Sequence, residues 1–208
     1  LQDTAGCRQG ARIELNKRLP AGGGIGGGSS DAATALMVLN QLWQTGLSRH
    51  ELADLGLQLG ADVPVFIHGR ACWAEGVGED FQDIELREPI YLLVYPKVHV
   101  STGQIFSDPQ LTRNTSPIKI ADFLAGRAGN DCEAVVRKQM PVVDQAMSWL
   151  DAYAPSRLTG TGACVFAEFE DTVAAQKAMA DVPHDWQSWV TRGHNYSPLH
   201  QMLNEVFA

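Results

Sequence analysis

Apolar side chains follow two different spacings along this chain. From Ala11 to Leu15 (ARIEL), small or apolar residues alternate with charged ones, which predicts a short half-buried strand. From Ala32 the spacing changes. Ala32, Ala35, Leu36, Leu39, Leu42 and Trp43 recur three and four apart, and Met37 and Val38 extend the apolar surface most of the way round. That pattern predicts a buried helix, with Ser29, Ser30 and Asp31 available as N-caps and Gly46 as its stop. Ser48 and Glu51 form a capping box for a second helix carrying Leu52, Leu55 and Leu59, closed by Gly60. Asp62 then precedes an apolar, strand-like run, Val63 to Ile67, which Pro64 restricts to an edge or first-residue position.

Further on, YLLVY (Tyr91 to Tyr95) predicts a buried strand and Asp108 to Pro117 a polar loop. Helices are predicted over Cys132 to Lys138 and Val142 to Tyr153. A glycine turn, LTGTGA from Leu158, leads into a strand from Cys164 to Phe169. Asp171 caps a helix running to about Ala180, and Trp186 to Thr191 returns as a strand. This rhythm predicts an α+β fold in two layers. The region of Arg87 to Pro89 marks a junction between residues 1–88 and 89–208.

Composition narrows the function classes. The 208 residues carry 24 Asp and Glu against 16 Lys and Arg, a net charge of −8 with no basic cluster, which argues against nucleic-acid or anionic-membrane partners. No apolar run approaches the roughly 20 residues of a membrane helix. Cys7, Cys72, Cys132 and Cys164 are scattered without metal spacing, so no metal ligands are predicted and a reducing cytoplasm is the expected compartment. The six histidines are equally dispersed.

Chemistry concentrates in PAGGGIGGGSSDAA. Six of the chain's 20 glycines fall between Gly22 and Gly28, immediately before the predicted buried helix. Successive backbone N–H groups can converge there on one anion, and the helix start adds its own unpaired donors and dipole. A flexible linker would not end in a capped apolar helix. Gly22, Gly24 and Gly27 satisfy G-x-G-x-x-G, but no strand ends at the first glycine and the nearest acidic candidate, Glu51, lies within a helix. A Walker A loop would need Lys-Ser/Thr where this chain has Ser29-Ser30. The loop therefore reads as a phosphate site of another kind.

This motif resembles the central glycine motif of the GHMP kinases (galactose, homoserine, mevalonate and phosphomevalonate kinases). LGADVPVF around Asp62, NDCE from Asn130, RLTGTGACVFAEF around Cys164 and HNYSPL from His194 look typical of one branch of that family. That branch phosphorylates a cytidine diphosphate-linked methylerythritol on the non-mevalonate route to isoprenoid precursors. The resemblance runs from Asp3 to about Leu203. It implies the two-domain GHMP fold, with residues 1–88 in a truncated, ribosomal-protein-S5-like ATP-binding domain and 89–208 in a ferredoxin-like domain. It also implies about eighty preceding residues carrying a catalytic lysine, a size within the ordinary domain range. Lys17 is no substitute, because it lies on the strand that leads into the loop. A strand near Ile13 lacking its neighbour would expose a sheet edge and favour self-association; the oligomeric state is not otherwise legible.

By the same resemblance, Pro20, Ala21, Gly22, Gly23, Gly24, Ile25, Gly26, Gly27, Gly28, Ser29 and Ser30 would hold ATP between the domains, with Mg²⁺ bridging its phosphates. Asp62 would orient and deprotonate the acceptor hydroxyl; spacing alone leaves a turn aspartate capping local backbone as the other reading. Phe106 would stack on the cytosine with Thr102 beside it, where an ordinary core Phe is the alternative. Two further readings stay open at this point: a GHMP kinase acting on another alcohol, and a catalytically incomplete nucleotide-binding fragment.

Overall fold

The computed structural model describes residues 1–76, 78 and 80–207. In chain order the elements are α1 (Gln2–Ala5), α2 (Gly27–Leu42), α3 (Arg49–Leu59), α4 (Val63–His68), β1 (Cys72–Glu75), β2 (Asp80–Asp83), β3 (Ile90–Tyr95), α5 (Thr102–Ser107), α6 (Ile120–Leu124), α7 (Glu133–Gln139), α8 (Pro141–Leu150), β4 (Ser156–Leu158), β5 (Val165–Phe169), α9 (Thr172–Ala180), β6 (Gln187–Arg192) and α10 (Pro198–Phe207). They form two compact units. The first holds 1–19, 26–87 and 194–208; the second holds 20–25 and 88–193.

The first unit is built around α2. Ala33, Leu36 and Met37 pack with Leu52 of α3 and with Val63 and Ile67 of α4, and Leu199 and Leu203 of α10 lean on the same cluster. Asn40, buried near the end of α2, holds the following turn: its amide donates to the Leu47 carbonyl at 3.0 Å and its oxygen accepts the Leu47 N–H at 3.1 Å. The predicted capping box is present, with the Ser48 N–H donating to Glu51 at 2.8 Å and the Glu51 N–H to the Ser48 hydroxyl at 3.3 Å.

Three expectations are corrected in this unit. The run after Asp62 is a helix rather than a strand. Val63 and Ile67, four apart, face the core together, and Pro64 sits in the first turn, where its missing N–H costs nothing. The segment from Ala11 to Leu15 pairs with no strand among the described residues, and Ile13 and Leu15 are 65% and 60% exposed. Alternation sets an extended chain, but a strand is defined by its ladder. Lys17 accordingly lies on no strand; its ammonium meets Asp31 at 2.7 Å. The unit also holds two elements with no counterpart among the predicted ones: the antiparallel β1–β2 hairpin, which pairs Cys72 with Asp83 and Glu75 with Asp80, and helix α10.

The second unit is a four-stranded antiparallel sheet in the order β4-β5-β3-β6. Central strand β3 aligns Leu92 with Ala167 of β5 and Val190 of β6. Leu92, Val94, Val165 and Ala167 pack with Val136 of α7, with Val143, Met147 and Leu150 of α8, and with Ala178 of α9, giving helices on one sheet face. Asp171 caps α9 as predicted, accepting the Ala174 N–H at 2.8 Å.

Candidate active site

In the first unit, α2 begins earlier than its serines suggest. Gly26 is the cap residue, in the left-handed region at φ +66°, and a Cβ there would lie 2.8 Å from the Phe66 ring. Only glycine suits both demands. Gly27, Gly28 and Ser29 therefore form the first turn, and Ser29 and Ser30 lie inside the helix rather than capping it. The Ser30 N–H closes the first helical bond to the Gly26 carbonyl at 2.8 Å. Among the described residues, the N–H groups of Gly27, Gly28 and Ser29 donate to no acceptor. Three aligned donors at the positive end of a sixteen-residue helix make an anion seat. The Lys17 ammonium lies beside it, 3.7 Å from where a Gly27 Cβ would stand.

Asp62 occupies the position just before α4, at φ −85° and ψ −9°, with its side chain exposed. It does not cap that helix, and among the described residues its carboxylate has no hydrogen-bond or ion-pair partner. An aspartate serving only local backbone would spend its oxygens there. This one makes no such contact among the described residues.

In the second unit, the arm from Pro20 to Ile25 is fastened to the glycine turn between β4 and β5. The Gly23 carbonyl accepts the Cys164 N–H at 3.0 Å and faces the Thr159 hydroxyl at 3.0 Å. At Gly24, φ +71°, a Cβ would meet the Gly162 carbonyl oxygen at 2.5 Å and that of Thr159 at 2.7 Å. The turn is held in its own right: the Asn130 amide donates to Gly160 O at 2.7 Å and Leu158 O at 3.3 Å, and its oxygen accepts the Cys132 N–H at 2.9 Å. Burial pushes the Cys164 thiol up to about 12, so it stays protonated and packs as a small apolar group.

Thr102 and Phe106 lie in the same unit, at the two ends of one helical turn of α5. Ile105 anchors that helix in the core while Phe106 is 56% exposed, so the core-Phe alternative does not describe it. The Thr102 hydroxyl is 2.9 Å from that of Thr161, on the glycine turn. Sequence reading found this turn but not Asn130, Thr159 or Thr161 as its working side chains. Polarity near a glycine pair was the available signal, and only the fold tells which hydroxyl faces which neighbour.

Comparison with known proteins places the chain in a family. Residues 1–70 match the model of the GHMP kinases N terminal domain and residues 111–187 that of the GHMP kinases C terminal. A protein from Nitrosococcus oceani named 4-diphosphocytidyl-2-C-methyl-D-erythritol kinase is 54% identical over 206 residues, covering 99% of this chain and 74% of that protein. One of the same name from Alkalilimnicola ehrlichii is 55% identical over 199 residues, covering 96% and 68%. Among solved structures, a 4-(cytidine 5'-diphospho)-2C-methyl-D-erythritol kinase superposes with a TM-score of 0.79 at 28% identity, covering 93% of this chain and 75% of its own. A homoserine kinase from Cytophaga hutchinsonii shares the fold, with a TM-score of 0.57 at 17% identity. With both family models matched and relatives of one name aligned along nearly its whole length, the chain belongs to the GHMP kinases, in the group of 4-diphosphocytidyl-2-C-methyl-D-erythritol kinases.

Proposed function

We propose that the protein transfers the γ-phosphoryl group of ATP to the 2-hydroxyl of 4-diphosphocytidyl-2-C-methyl-D-erythritol, as a cytoplasmic enzyme of isoprenoid precursor synthesis. The observation that carries the phosphoryl-transfer part is the start of α2, where the donors of Gly27, Gly28 and Ser29 are unpaired at the positive end of the helix dipole. The names and identities of the relatives support the choice of acceptor. No helix among the described residues is long and apolar enough to cross a membrane.

Phosphoryl transfer asks chiefly for positioning and charge neutralisation. Pro20 to Ser30 hold ATP in this reading: the backbone N–H groups take the β- and γ-phosphates, and the fastening of Gly23 keeps the arm in one conformation before the nucleotide arrives. Asp62 orients the acceptor hydroxyl and takes its proton at a carboxylate oxygen. Phe106 offers its exposed ring to the cytosine, and Thr102, one turn away on the same helix, contacts the same substrate.

Among the described residues no three His, Cys, Asp or Glu side chains gather to hold a metal. In this reading Mg²⁺ would be carried largely by the nucleotide's own phosphates, with the hydroxyls of Ser29 and Ser30 as the protein groups within its reach. When bound, the ion neutralises phosphate charge.

A coupled assay of ADP release tests the reading. Release that depends on the cytidine diphosphate-linked substrate, and is not supported by homoserine, mevalonate or galactose, is the expected result. Turnover of one of those alcohols in its place would assign a different acceptor.

A further inference from the structure

Helix α5 has only six residues, too few to hold its own conformation in water, so its placement depends on what grips it. Ile105 sinks into the core. At the C-terminal end the Arg113 guanidinium donates to the carbonyls of Phe106 at 2.6 Å, Asp108 at 3.0 Å and Leu111 at 3.1 Å. At the N-terminal end the grip is Thr161, a buried residue (7% exposed) whose hydroxyl lies 2.9 Å, oxygen to oxygen, from that of Thr102. Thr102 and Phe106 are four residues apart and share one face of the helix. Holding Thr102 therefore helps fix the helix face from which Phe106 projects.

We infer that Thr161 is a positioning residue for the cytidine substrate: its hydroxyl fixes Thr102, and through the common helix face fixes the platform at Phe106. This rests on the reading of Thr102 and Phe106 as substrate contacts. The glycine turn thereby performs two separable tasks within one unit. Thr159 and Cys164 fasten the ATP arm at Gly23, and Thr161, two residues on from Thr159, fastens the acceptor helix. Asn130 clamps the turn that carries both.

The test is calorimetric titration of cytidine diphosphate and of a non-hydrolysable ATP analogue into the wild-type chain, Thr161→Val and Thr161→Ser. Valine keeps the shape and removes one hydrogen bond, so affinity for cytidine diphosphate should fall about three- to tenfold while the analogue binds within about twofold of wild type. Serine should restore the affinity. Unchanged cytidine diphosphate binding in Thr161→Val would overturn the inference. Parallel weakening of both ligands would overturn it too, since Thr161 would then support the unit as a whole. Failure of the wild-type chain to bind cytidine diphosphate at all would instead remove the substrate-contact reading, and this inference with it.

Discussion

The Thr159 hydroxyl stands 3.0 Å from the Gly23 carbonyl oxygen, across 136 residues of sequence. That contact joins the two glycine-rich segments of the chain. It explains why the Gly24 backbone runs so close to the turn that no side chain fits between them.

Gly24→Ala should therefore be severe. The left-handed conformation alone costs a non-glycine residue roughly 1–2 kcal/mol, and the new methyl would press on two carbonyl oxygens that belong to a braced turn. Expected outcomes are a lower urea midpoint and at least tenfold weaker binding of an ATP analogue. Wild-type affinity in this variant would show that the arm's conformation does not matter for nucleotide.

Asn40 predicts a purely structural effect. Its amide serves both the N–H and the carbonyl of Leu47 from a buried position at the end of α2. Asn40→Ala strands those groups and should lower stability by about 1–3 kcal/mol in urea melts. The ATP-analogue affinity of the folded fraction should hold.

Local signals carried much of the fold into view. The capping box at Ser48, the Asp171 cap, the buried pattern of α2 and the apolar strand β3 depend on near neighbours, and all were legible. The run after Asp62 is ambiguous in sequence because a short apolar stretch has the same composition in a buried helix and in a buried strand. Only its packing against α2 and α3 separates the two. The hairpin β1–β2 carries charged residues at several positions and gives little alternation to detect. In the candidate site the glycine motif announced itself, whereas Thr161 and Asn130 act through contacts 59 and 30 residues away, which no local pattern encodes.

His200 gives the stability a pH dependence. Burial pulls its pKa below the ordinary 6.5, and the nearby charges of Arg49 and His68 act in the same direction, only partly offset by the carbonyls of Phe66 and Ile67. The unfolded chain therefore binds this proton more readily than the folded one. The contribution is complete above the unfolded value of 6.5 and is lost as pH falls from there through the lower folded value. Glu51 and Asp83 keep their charges through that window, held low by hydrogen bonds from the Ser48 backbone and from Arg70. Between about pH 7.5 and 5.5 the melting temperature should drop more for the wild type than for His200→Gln. Equal drops would show that other groups govern this range.

The role given to Asp62 rests on a carboxylate left available at the start of α4. Asp62→Asn keeps the shape and removes the base, so turnover should fall about 10²- to 10⁴-fold with affinity for an ATP analogue close to wild type. A variant that retains full turnover would take the proton acceptor away from this residue.

The most direct measurement is the identity of the product. Protein, Mg²⁺-ATP and 4-diphosphocytidyl-2-C-methyl-D-erythritol are incubated together and followed by phosphorus-31 NMR and mass spectrometry. The predicted result is a new phosphomonoester on the 2-hydroxyl, matched one for one by ADP. ATP hydrolysed to free phosphate with the cytidine compound unchanged, or a phosphoryl group on a different hydroxyl, would contradict the account.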